Sequence, residues 1–401
     1  MKKLNNIYNS ILDLKIIQNM YDKRIKINTK NKKKLEKFEN NYVSNMIYIK
    51  NVLADKTYNP GKYNIFIIKE PKLRLIMSQN VIDKIINHVV SEYFLINIYD
   101  KTLIDTNIAT RKNKGTHYGI KILKKYINEL KKEKFYVLKF DISKYFFNLD
   151  HGILKKLIRK KIKDKNVLKI IDNIIDSTNH DYINKQIKIM KEKEICKINK
   201  SNSDCKESLI NEIKNIPIYE YGKGLPIGNM TSQVLAIMYL NELDHYIKEN
   251  LKIKYYIRYM DDGIILHKDK EYLKYCLKEI EKIVTQYKLK LNNKTKIYTC
   301  YEGFEFLGFK YFIKNNKLIM KVTNKTKRRF KRKMKNMPML IKNKKITEEQ
   351  FEQIKNSYLG HLHYGKTKKL IQLNIENKFI KENKELVIKE ARIENENVII
   401  K

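Results

Sequence analysis

Hydrophobic positions along this chain follow two periods, which predict a mixture of helices and strands. Apolar residues recur about every 3.6 positions over 1–50, 80–99, 115–133, 151–176, 234–251 and 270–287, as in amphipathic helices. Shorter β-branched and aromatic runs, bounded by Gly, Pro or Asn, lie at 62–78, 135–142, 255–266 and 304–320 and predict strands and hairpins. Their interleaving along the chain indicates an α+β fold.

Turn and capping residues predict where several elements begin and end. The stretch 177–216 is rich in Lys, Asn and Ser with little period, and predicts a loop-rich insertion. The helix after "YGKGLPIG" (221–228) is predicted to begin at an N-cap, either Thr231 or Ser232. Beyond the Asn315-Asn316 turn of the last hairpin, the pattern predicts basic helices, most densely charged at "KTKRRFKRKMK" (325–335).

The charge balance points to a polyanionic partner. The 401 residues include 85 Lys+Arg against 44 Asp+Glu, a formal net charge of +41. Such an excess repels itself unless a polyanion such as nucleic acid shares the surface. An AT-rich genome would explain the preference for Lys over Arg, but not the scarcity of acidic residues.

Other features of the composition indicate a cytoplasmic protein with no membrane partner. Cys196, Cys205, Cys276 and Cys300 form no C-x-x-C pair, and none has a His at zinc-finger spacing, which argues against a zinc site or a disulfide framework. No apolar run is long enough to span a membrane. Asn, Ser, Asp and Lys interrupt the N-terminal apolar residues before a signal sequence develops.

Three carboxylates stand where predicted strands end. Asp141 ends "FYVLKFD", and Asp261 and Asp262 are adjacent within "YYIRYMDDGIIL". If the strands are neighbours, the three charges repel unless protons or cations neutralise them, and Mg²⁺ is the hard cation that prefers carboxylate oxygen. Two Mg²⁺ ions would suit an in-line phosphoryl displacement. The alternative is a solvated type I′ hairpin turn at Asp261-Asp262-Gly263, for which Asp-Gly is favoured, and "YMDD" alone leaves both interpretations open.

Several stretches resemble the motifs of reverse transcriptases, in the order that the family has them. Motifs A to E are represented by "KFDISKYFFNLDH" (139–151), "GLPIGNMTSQ" (224–233), "YIRYMDDGIIL" (256–266), "LKLNNKTKI" (289–297) and "FEFLGFKY" (304–311). Upstream, "KLRLIMSQNVIDKIINHVV" (72–90) and "ATRKNKGTHYGI" (109–120) are similar to fingers blocks of bacterial members. Five motifs in order are very improbable by chance.

The resemblance implies an α+β right-hand polymerase whose palm is a small antiparallel sheet. Its parts are a basic helical extension at 1–54, fingers and palm at 55–312 with the insertion at about 177–216, and a basic helical thumb and C-terminal segment at 313–401. The implied activity is RNA-directed DNA synthesis, in which dNTPs extend a primer 3′-hydroxyl with two Mg²⁺ ions, or Mn²⁺ in their place. The partners are an RNA template and a DNA or RNA primer, with an accessory protein or homo-oligomer left open.

The same resemblance implies the catalytic set. Asp141 and Asp261 would be the principal metal ligands, Asp262 the supporting one, and the backbone carbonyl of Ile142 a fourth. Lys294 would protonate the leaving pyrophosphate, although Lys296 two positions later is an alternative.

Two further sets of residues follow from the resemblance. The nucleotide-binding set is Lys69, Arg74, Phe146, Ile227, Gly228 and Gln233. In this set, Lys69 and Arg74 hold the triphosphate. Phe146 is a steric gate against ribose, for which an ordinary core Phe is the alternative. Ile227 replaces the usual Gln, so base selection should depend on shape and fidelity should be low. The nucleic-acid-binding set is Arg111, Lys112, Lys114, Tyr259, Met260, Leu307, Gly308, Arg328, Arg329 and Arg332, for whose cations a solvated basic surface is the alternative.

The motif "LPIGNMTSQ" is similar to the enzymes of diversity-generating retroelements and of phage defence. Two other interpretations stay open at the level of sequence. The first is a defence polymerase that works without a template or primes from its own Tyr or Ser hydroxyl. The second is a non-catalytic RNA-binding scaffold protein, against which the intact set of three carboxylates argues.

Overall fold

The computed structural model describes residues 3–70, 72–200 and 206–373, and the chain divides into two compact units. The first comprises Met1–Tyr118, Leu138–His267 and Glu271–Lys296, and the second Gly119–Val137, Lys268–Lys270 and Ile297–Lys401. Among the described helices, none has both the length and the apolar content needed to cross a membrane. Helices mixed with small antiparallel sheets agree with the predicted α+β class.

The N-terminal part of the first unit is mainly helical, as its period predicted. Its helices are α1 (Leu14–Met20), α2 (Lys32–Glu39), α3 (Tyr42–Ala54), α4 (Val81–Val90) and α5 (Asn97–Tyr99). A π-helical turn, Ser91–Ile96, joins α4 to α5 and makes the predicted helix at 80–99 continuous. Between α3 and α4 lie the antiparallel strands β1 (Asn64–Ile68) and β2 (Arg74–Ser78), which confirm the predicted hairpin.

A four-stranded sheet carries the predicted carboxylates. Its strands are β3 (Tyr136–Asp141), β4 (Tyr255–Tyr259), β5 (Asp262–His267) and β6 (Lys296–Thr299), in the order β4-β5-β3-β6. The strands β4 and β5 are antiparallel, with Tyr259 opposite Asp262. Continuous burial of Tyr256–Arg258 and Gly263–Leu266 shows that both faces of this pair are covered, which explains why its sequence is a hydrophobic run rather than an alternation.

The remaining helices up to residue 286 lie in the first unit, except that most of α6 lies in the second. They are α6 (Thr116–Leu130), α7 (Tyr145–Asn148), α8 (His151–Arg159), α9 (Lys165–Ile175), α10 (Asp181–Asn199), α11 (Lys206–Lys214), α12 (Met230–Tyr239), α13 (Asn241–His245) and α14 (Lys270–Gln286). The N-cap of α12 is Asn229, whereas Thr231 and Ser232, predicted as caps, are buried inside the helix.

The prediction that residues 177–216 are rich in loops is wrong, because most of this stretch forms α10 and α11. The Lys-rich composition hid buried apolar residues spaced for one helix face, Ile183 and Ile187 on α10 and Ile213 on α11. A narrow apolar stripe is enough to fix a helix when another element covers it.

The second unit contains a three-stranded antiparallel sheet followed by helices. The strands are β7 (Phe304–Phe306), β8 (Phe309–Lys314) and β9 (Lys317–Val322), and the helices are α15 (Asn324–Lys342), α16 (Glu348–Leu362) and α17 (Lys368–Ile371). The β8–β9 turn is the predicted one, since Asn315 and Asn316 have φ of 51° and 54°. The helical part begins at Asn324 rather than at residue 313, and residues 374–401 of the predicted C-terminal segment lie outside the described residues.

Candidate active site

The strand order brings the three predicted carboxylates together. Asp141 is the last residue of β3, its neighbour β5 begins at Asp262, and Asp261 lies in the turn before it. Asp141 lies close enough to Asp261 that its charge and a hydrogen bond between the two side chains raise the pKa of Asp261. Asp141 and Asp261, although far apart in sequence, therefore belong to one acidic site.

Burial and mutual repulsion disfavour ionisation at this site. Burial, and after it the charge of Asp141, raises the pKa of Asp261 to about 6. Burial raises the pKa of Asp262 to about 7, although the nearby charge of Lys139 acts in the opposite direction. Within the described residues Asp262 Oδ1 is buried and has no hydrogen-bond partner. These carboxylates need a counter-charge that the chain supplies only in part.

The donor set fits hard divalent cations. Carboxylate oxygens are the ligands that Mg²⁺ prefers in proteins, and the unpartnered Asp262 Oδ1 is one such acceptor. In the described part of the chain, no three His, Cys, Asp or Glu side chains form a preassembled metal cluster. Like charges at such short range repel, and a cation between them would relieve this repulsion. Ile142, whose carbonyl was predicted to join them, is buried and bridges to Leu291.

Residues that the sequence did not single out support the acidic site. Lys139 Nζ lies 3.3 Å from Asp262 Oδ2. Asn292 donates from Nδ2 to Asp141 Oδ2 at 3.2 Å and from its backbone N–H to the Asp141 carbonyl at 2.7 Å. The charge of Lys72, at the tip of the β1–β2 hairpin, lowers the pKa of Asp261. Lys139 precedes Asp141 by two positions on one strand face, a signal that strand alternation could have revealed.

A buried ion pair holds the turn that carries Asp261. Arg258 is fully buried in β4, and its Nε and Nη2 each lie 2.7 Å from a carboxylate oxygen of Asp244, which is also fully buried. Nη1 donates to the Met260 carbonyl at 2.6 Å, and Nη2 donates to the Ile237 carbonyl at 2.8 Å. Met260 has a φ of 56°, so this bond fixes a left-handed residue directly before Asp261. The signal in the sequence was a lone Arg inside an apolar strand.

The turn differs from the one that the solvated alternative requires. Met260 and Asp261 form it, whereas Asp262 and Gly263 belong to β5. A Cβ at residue 263 would lie 2.2 Å from the Phe140 ring, so the glycine serves close packing of β5 on β3 rather than a type I′ turn. The structure therefore does not contain the Asp-Gly turn that would have left the charges without meaning.

Motif B is joined to the β1–β2 hairpin at Gly228. The Ile227 carbonyl accepts a hydrogen bond from Met77 N–H at 2.8 Å. Gly228 has a φ of 138°, and a Cβ there would lie 2.6 Å from the Met77 carbonyl oxygen, so only glycine permits this approach. Ile227 and Gln233 are half-buried, which leaves part of each side chain accessible.

The predicted steric gate lies beside the same turn. Phe146 is half-buried in α7, next to the fully packed ring of Tyr145, and its carbonyl accepts from Leu225 N–H at 2.7 Å. The core position in "YFF" belongs to Tyr145, whose hydroxyl donates to the Ala236 carbonyl. Tyr145 is thus the fully buried residue of this stretch, and the steric gate at Phe146 stays a prediction.

The predicted triphosphate cations have different surroundings. Lys69 Nζ pairs with Glu194 of α10 at 2.9 Å. Arg74 is exposed at the start of β2, opposite Ile68. Lys294 is exposed in the loop before β6, and the structure does not distinguish it from Lys296.

Two of the three predicted template cations, Arg111 and Lys114, make hydrogen bonds within their own loop. The Arg111 side chain is 8% exposed, and its guanidinium donates to the Asp100 carboxylate at 2.6 Å and to backbone carbonyls of the loop. Lys114 Nζ donates to the backbone carbonyl of Asp105 and pairs with its carboxylate. Of the three, Lys112 alone is exposed, since Arg111 and Lys114 are partly buried by their contacts with the loop.

The remaining predicted nucleic-acid residues lie in both units. In the first, Tyr259 and Met260 pack against the small apolar cluster Leu103, Ala109 and Ile237. In the second, Leu307 and Gly308 form the β7–β8 turn, with φ of 49° and 86°. Arg328 and Arg332 are exposed on α15, whereas Arg329 is half-buried over the Tyr358 ring at 5.8 Å.

We expect Mg²⁺ to stabilise the folded chain more at pH 8 than at pH 6. The pKa of Asp261 rises from 3.8 to about 6 and that of Asp262 to about 7. A raised carboxyl pKa favours folding below pH 4, and this contribution is lost as the pH rises through the folded-state values. At pH 8 both groups are ionised and the cation relieves their repulsion, whereas at pH 6 protons compete with it.

Thermal denaturation with and without millimolar Mg²⁺ measures this effect. The rise in Tm should be larger at pH 8 by about 1 °C, the shift that a linkage of roughly 1 kcal/mol gives a chain of 401 residues. Equal rises at the two pH values, or a full rise in the Asp261→Asn/Asp262→Asn double variant, would contradict the expectation.

Comparison with known protein families identifies a reverse transcriptase domain in the chain. A family model described as reverse transcriptase (RNA-dependent DNA polymerase) matches residues 67–311, which is more than half of the chain. The matched span runs from the β1–β2 hairpin to β8 and contains all three carboxylates. No curated protein matches the chain.

Proposed function

The chain belongs to the reverse transcriptase family and is an RNA-directed DNA polymerase, and we propose that Asp141, Asp261 and Asp262 are its catalytic carboxylates. The observation that carries the proposal is their convergence at the ends of β3 and β5, with ionisation of Asp261 and Asp262 disfavoured by burial. A site that repels itself without cations is suited to bind them.

The aspartates, with the Ile142 carbonyl, would hold two Mg²⁺ ions. Members of the family use divalent ions, typically Mg²⁺. When bound, such ions neutralise the charge that develops on phosphate oxygens during nucleotidyl transfer. The chain itself positions the carboxylates, since Lys139, Asn292 and Arg258 each hold one of them or the turn beside it.

The residues around Gly228 would receive the incoming dNTP. The glycine brings bare backbone to the nascent pair, and Ile227 offers it an apolar contact without a hydrogen bond. The half-buried Phe146 would exclude a 2′-hydroxyl. Arg74 and Lys69 would bind the triphosphate through charge-assisted hydrogen bonds, and Lys294 would deliver a proton to the pyrophosphate.

The setting that we propose is a bacterial retroelement or an antiviral defence system in the cytoplasm. The motif "LPIGNMTSQ" supports it, because it resembles diversity-generating and phage-defence enzymes. The net charge of +41 would bind template and primer backbones, and a cognate RNA or an accessory protein would supply specificity.

Primer extension on a defined RNA template tests the activity. The purified chain with Mg²⁺ and four dNTPs should lengthen a labelled DNA primer, and the product sequence should complement the template. Omission of the template should stop synthesis. A homopolymer formed without RNA, or DNA covalently attached to the protein, would favour the template-independent or protein-primed alternative and reject templated synthesis.

The same assay tests Phe146 with ribonucleotides. We expect Phe146→Ala to raise rNTP incorporation relative to dNTP at least about tenfold, because the gate's discrimination would be of the order of 1–3 kcal/mol. Phe147→Ala is the matched control, since Phe147 packs against Tyr219 instead. Unchanged ribose discrimination in Phe146→Ala would remove the gate from the proposal.

A further inference from the structure

The insertion packs directly against the β1–β2 hairpin. One buried apolar cluster combines Ile65, Leu75 and Met77 of the hairpin with residues of α10 and α11, among them Ile183, Ile187, Ile198 and Ile213. The Tyr182 hydroxyl at the start of α10 accepts a hydrogen bond from Tyr63 N–H at 3.1 Å. Burial and this bond together fix α10 to one face of the hairpin.

A second set of contacts fixes the insertion to the segment that leads into motif B. The Asn184 side chain donates to the Tyr219 carbonyl at 2.8 Å and accepts from its N–H at 3.0 Å. The Tyr219 hydroxyl in turn donates to the Leu225 carbonyl at 3.2 Å. Helix α10 is thus bonded both to the β1–β2 hairpin and to the segment before motif B. These are the two parts of the chain that carry the proposed nucleotide-binding residues.

Glu194 of α10 holds a cation at the edge of that site. Glu194 is 9% exposed, and its two oxygens have different partners: Lys69 Nζ is 2.9 Å from Oε2, and Lys197 Nζ is 2.7 Å from Oε1. Lys69 directly follows β1, and Lys72 on the same hairpin tip is near enough to affect Asp261. Lys69 therefore lies three positions from a residue whose charge reaches Asp261.

We propose that Glu194 sets the affinity for the incoming nucleotide, because it competes with the triphosphate for Lys69. The inference rests on the proposed function, in which Lys69 binds the triphosphate. Glu194 is a positioning residue in this account and does not itself contact the nucleotide. The insertion then acts on substrate binding, a role that its composition does not suggest.

The double pairing of Glu194 makes such an exchange feasible. An acid this buried would be costly to leave without a partner. When Lys69 moves to the triphosphate, Lys197 still neutralises the carboxylate. The Lys69 side chain is 37% exposed and has a flexible four-carbon stem, so it can change partner while α10 stays in place.

Steady-state kinetics of Glu194→Gln test the proposal. We expect the KM for dNTP to fall about two- to fivefold, the range that a partly exposed ion pair supplies, with kcat nearly unchanged. Glu192→Gln is the matched control, because Glu192 is an exposed acid on the same helix and its substitution removes the same charge. It should leave KM unchanged.

Lys69→Met separates this mechanism from a general change in charge. The single variant should raise KM, and adding Glu194→Gln to it should have no further effect, because the competition requires Lys69. An equal fall in KM in both backgrounds, or no fall in Glu194→Gln, would overturn the proposal.

A readout that does not use polymerisation keeps the two proposals distinguishable. Amine-reactive labelling followed by mass spectrometry of the peptide containing Lys69 should show greater modification in Glu194→Gln than in the wild type. Equal modification would reject the ion-pair competition even if the polymerase proposal stands. Failure of the wild type to extend any primer would instead reject the proposed function.

Discussion

Asp261→Asn should reduce primer extension at least about 10³-fold, which corresponds to several kcal/mol of lost transition-state stabilisation. Asn has nearly the same shape as Asp but carries no negative charge, so the substitution leaves Asp141 without a second carboxylate beside it. Because the pKa of Asp261 is raised to about 6, the folded chain already disfavours its ionised form. The variant should therefore fold at least as stably as the wild type at pH 8 without added cation.

Extension rates and urea denaturation of the same preparation measure the two effects. Asp55→Asn, an exposed acid beyond the end of α3, is the matched control and should change neither quantity. If Asp261→Asn kept most of its polymerase activity, the carboxylates would lie outside the active site. If it kept every activity of the protein, the non-catalytic scaffold interpretation would gain support.

Asp244→Asn should lower the free energy of unfolding by about 3–5 kcal/mol, the cost of leaving a buried charge without its partner. Asp244 and Arg258 are both fully buried, and the carboxylate accepts two hydrogen bonds from the guanidinium and a third from the Tyr256 hydroxyl. An amide would leave the Arg258 charge uncompensated. Glu271→Gln is the control, because its exposed pair with Lys274 should contribute less than about 1 kcal/mol.

The double variant Asp244→Leu/Arg258→Met separates stability from positioning. Replacing both charges by apolar groups of similar volume should recover most of the stability that Asp244→Asn loses. Extension should nevertheless stay reduced, since the bond from Arg258 to the Met260 carbonyl is gone and the turn carrying Asp261 is no longer fixed. Recovery of full activity together with stability would show that the pair does not position the turn.

Local patterns predicted the parts of the fold whose interactions are short in range. The β1–β2 hairpin, the helical run at 80–99 and the Asn315-Asn316 turn all agree with the structure, because neighbouring residues determine strand pairing, helical faces and turn conformation. The prediction of loops at 177–216 failed for the opposite reason. The helices of this stretch bury a narrow stripe against the hairpin, so their stability depends on a distant part of the chain.

Cations were the least predictable part of the candidate site. In so basic a chain, the sequence does not tell which Lys or Arg meets substrate and which one holds the protein together. Arg111 and Lys114 satisfy loop groups, Lys69 is engaged by Glu194, and Lys139 and Lys72, which were not singled out, lie near the carboxylates. Such assignments depend on contacts between residues far apart in sequence.

The sequence by itself determined the family and its polymerase activity, and it singled out the three carboxylates as candidates, because strand ends and motif order are local features. Only the tertiary structure decided what surrounds them: the turn at Met260 rather than at Gly263, the buried Arg258–Asp244 pair beneath it, and the helix that presents Glu194 to Lys69. The physical reason is that burial and charge pairing arise between elements, and a linear pattern does not record which elements meet.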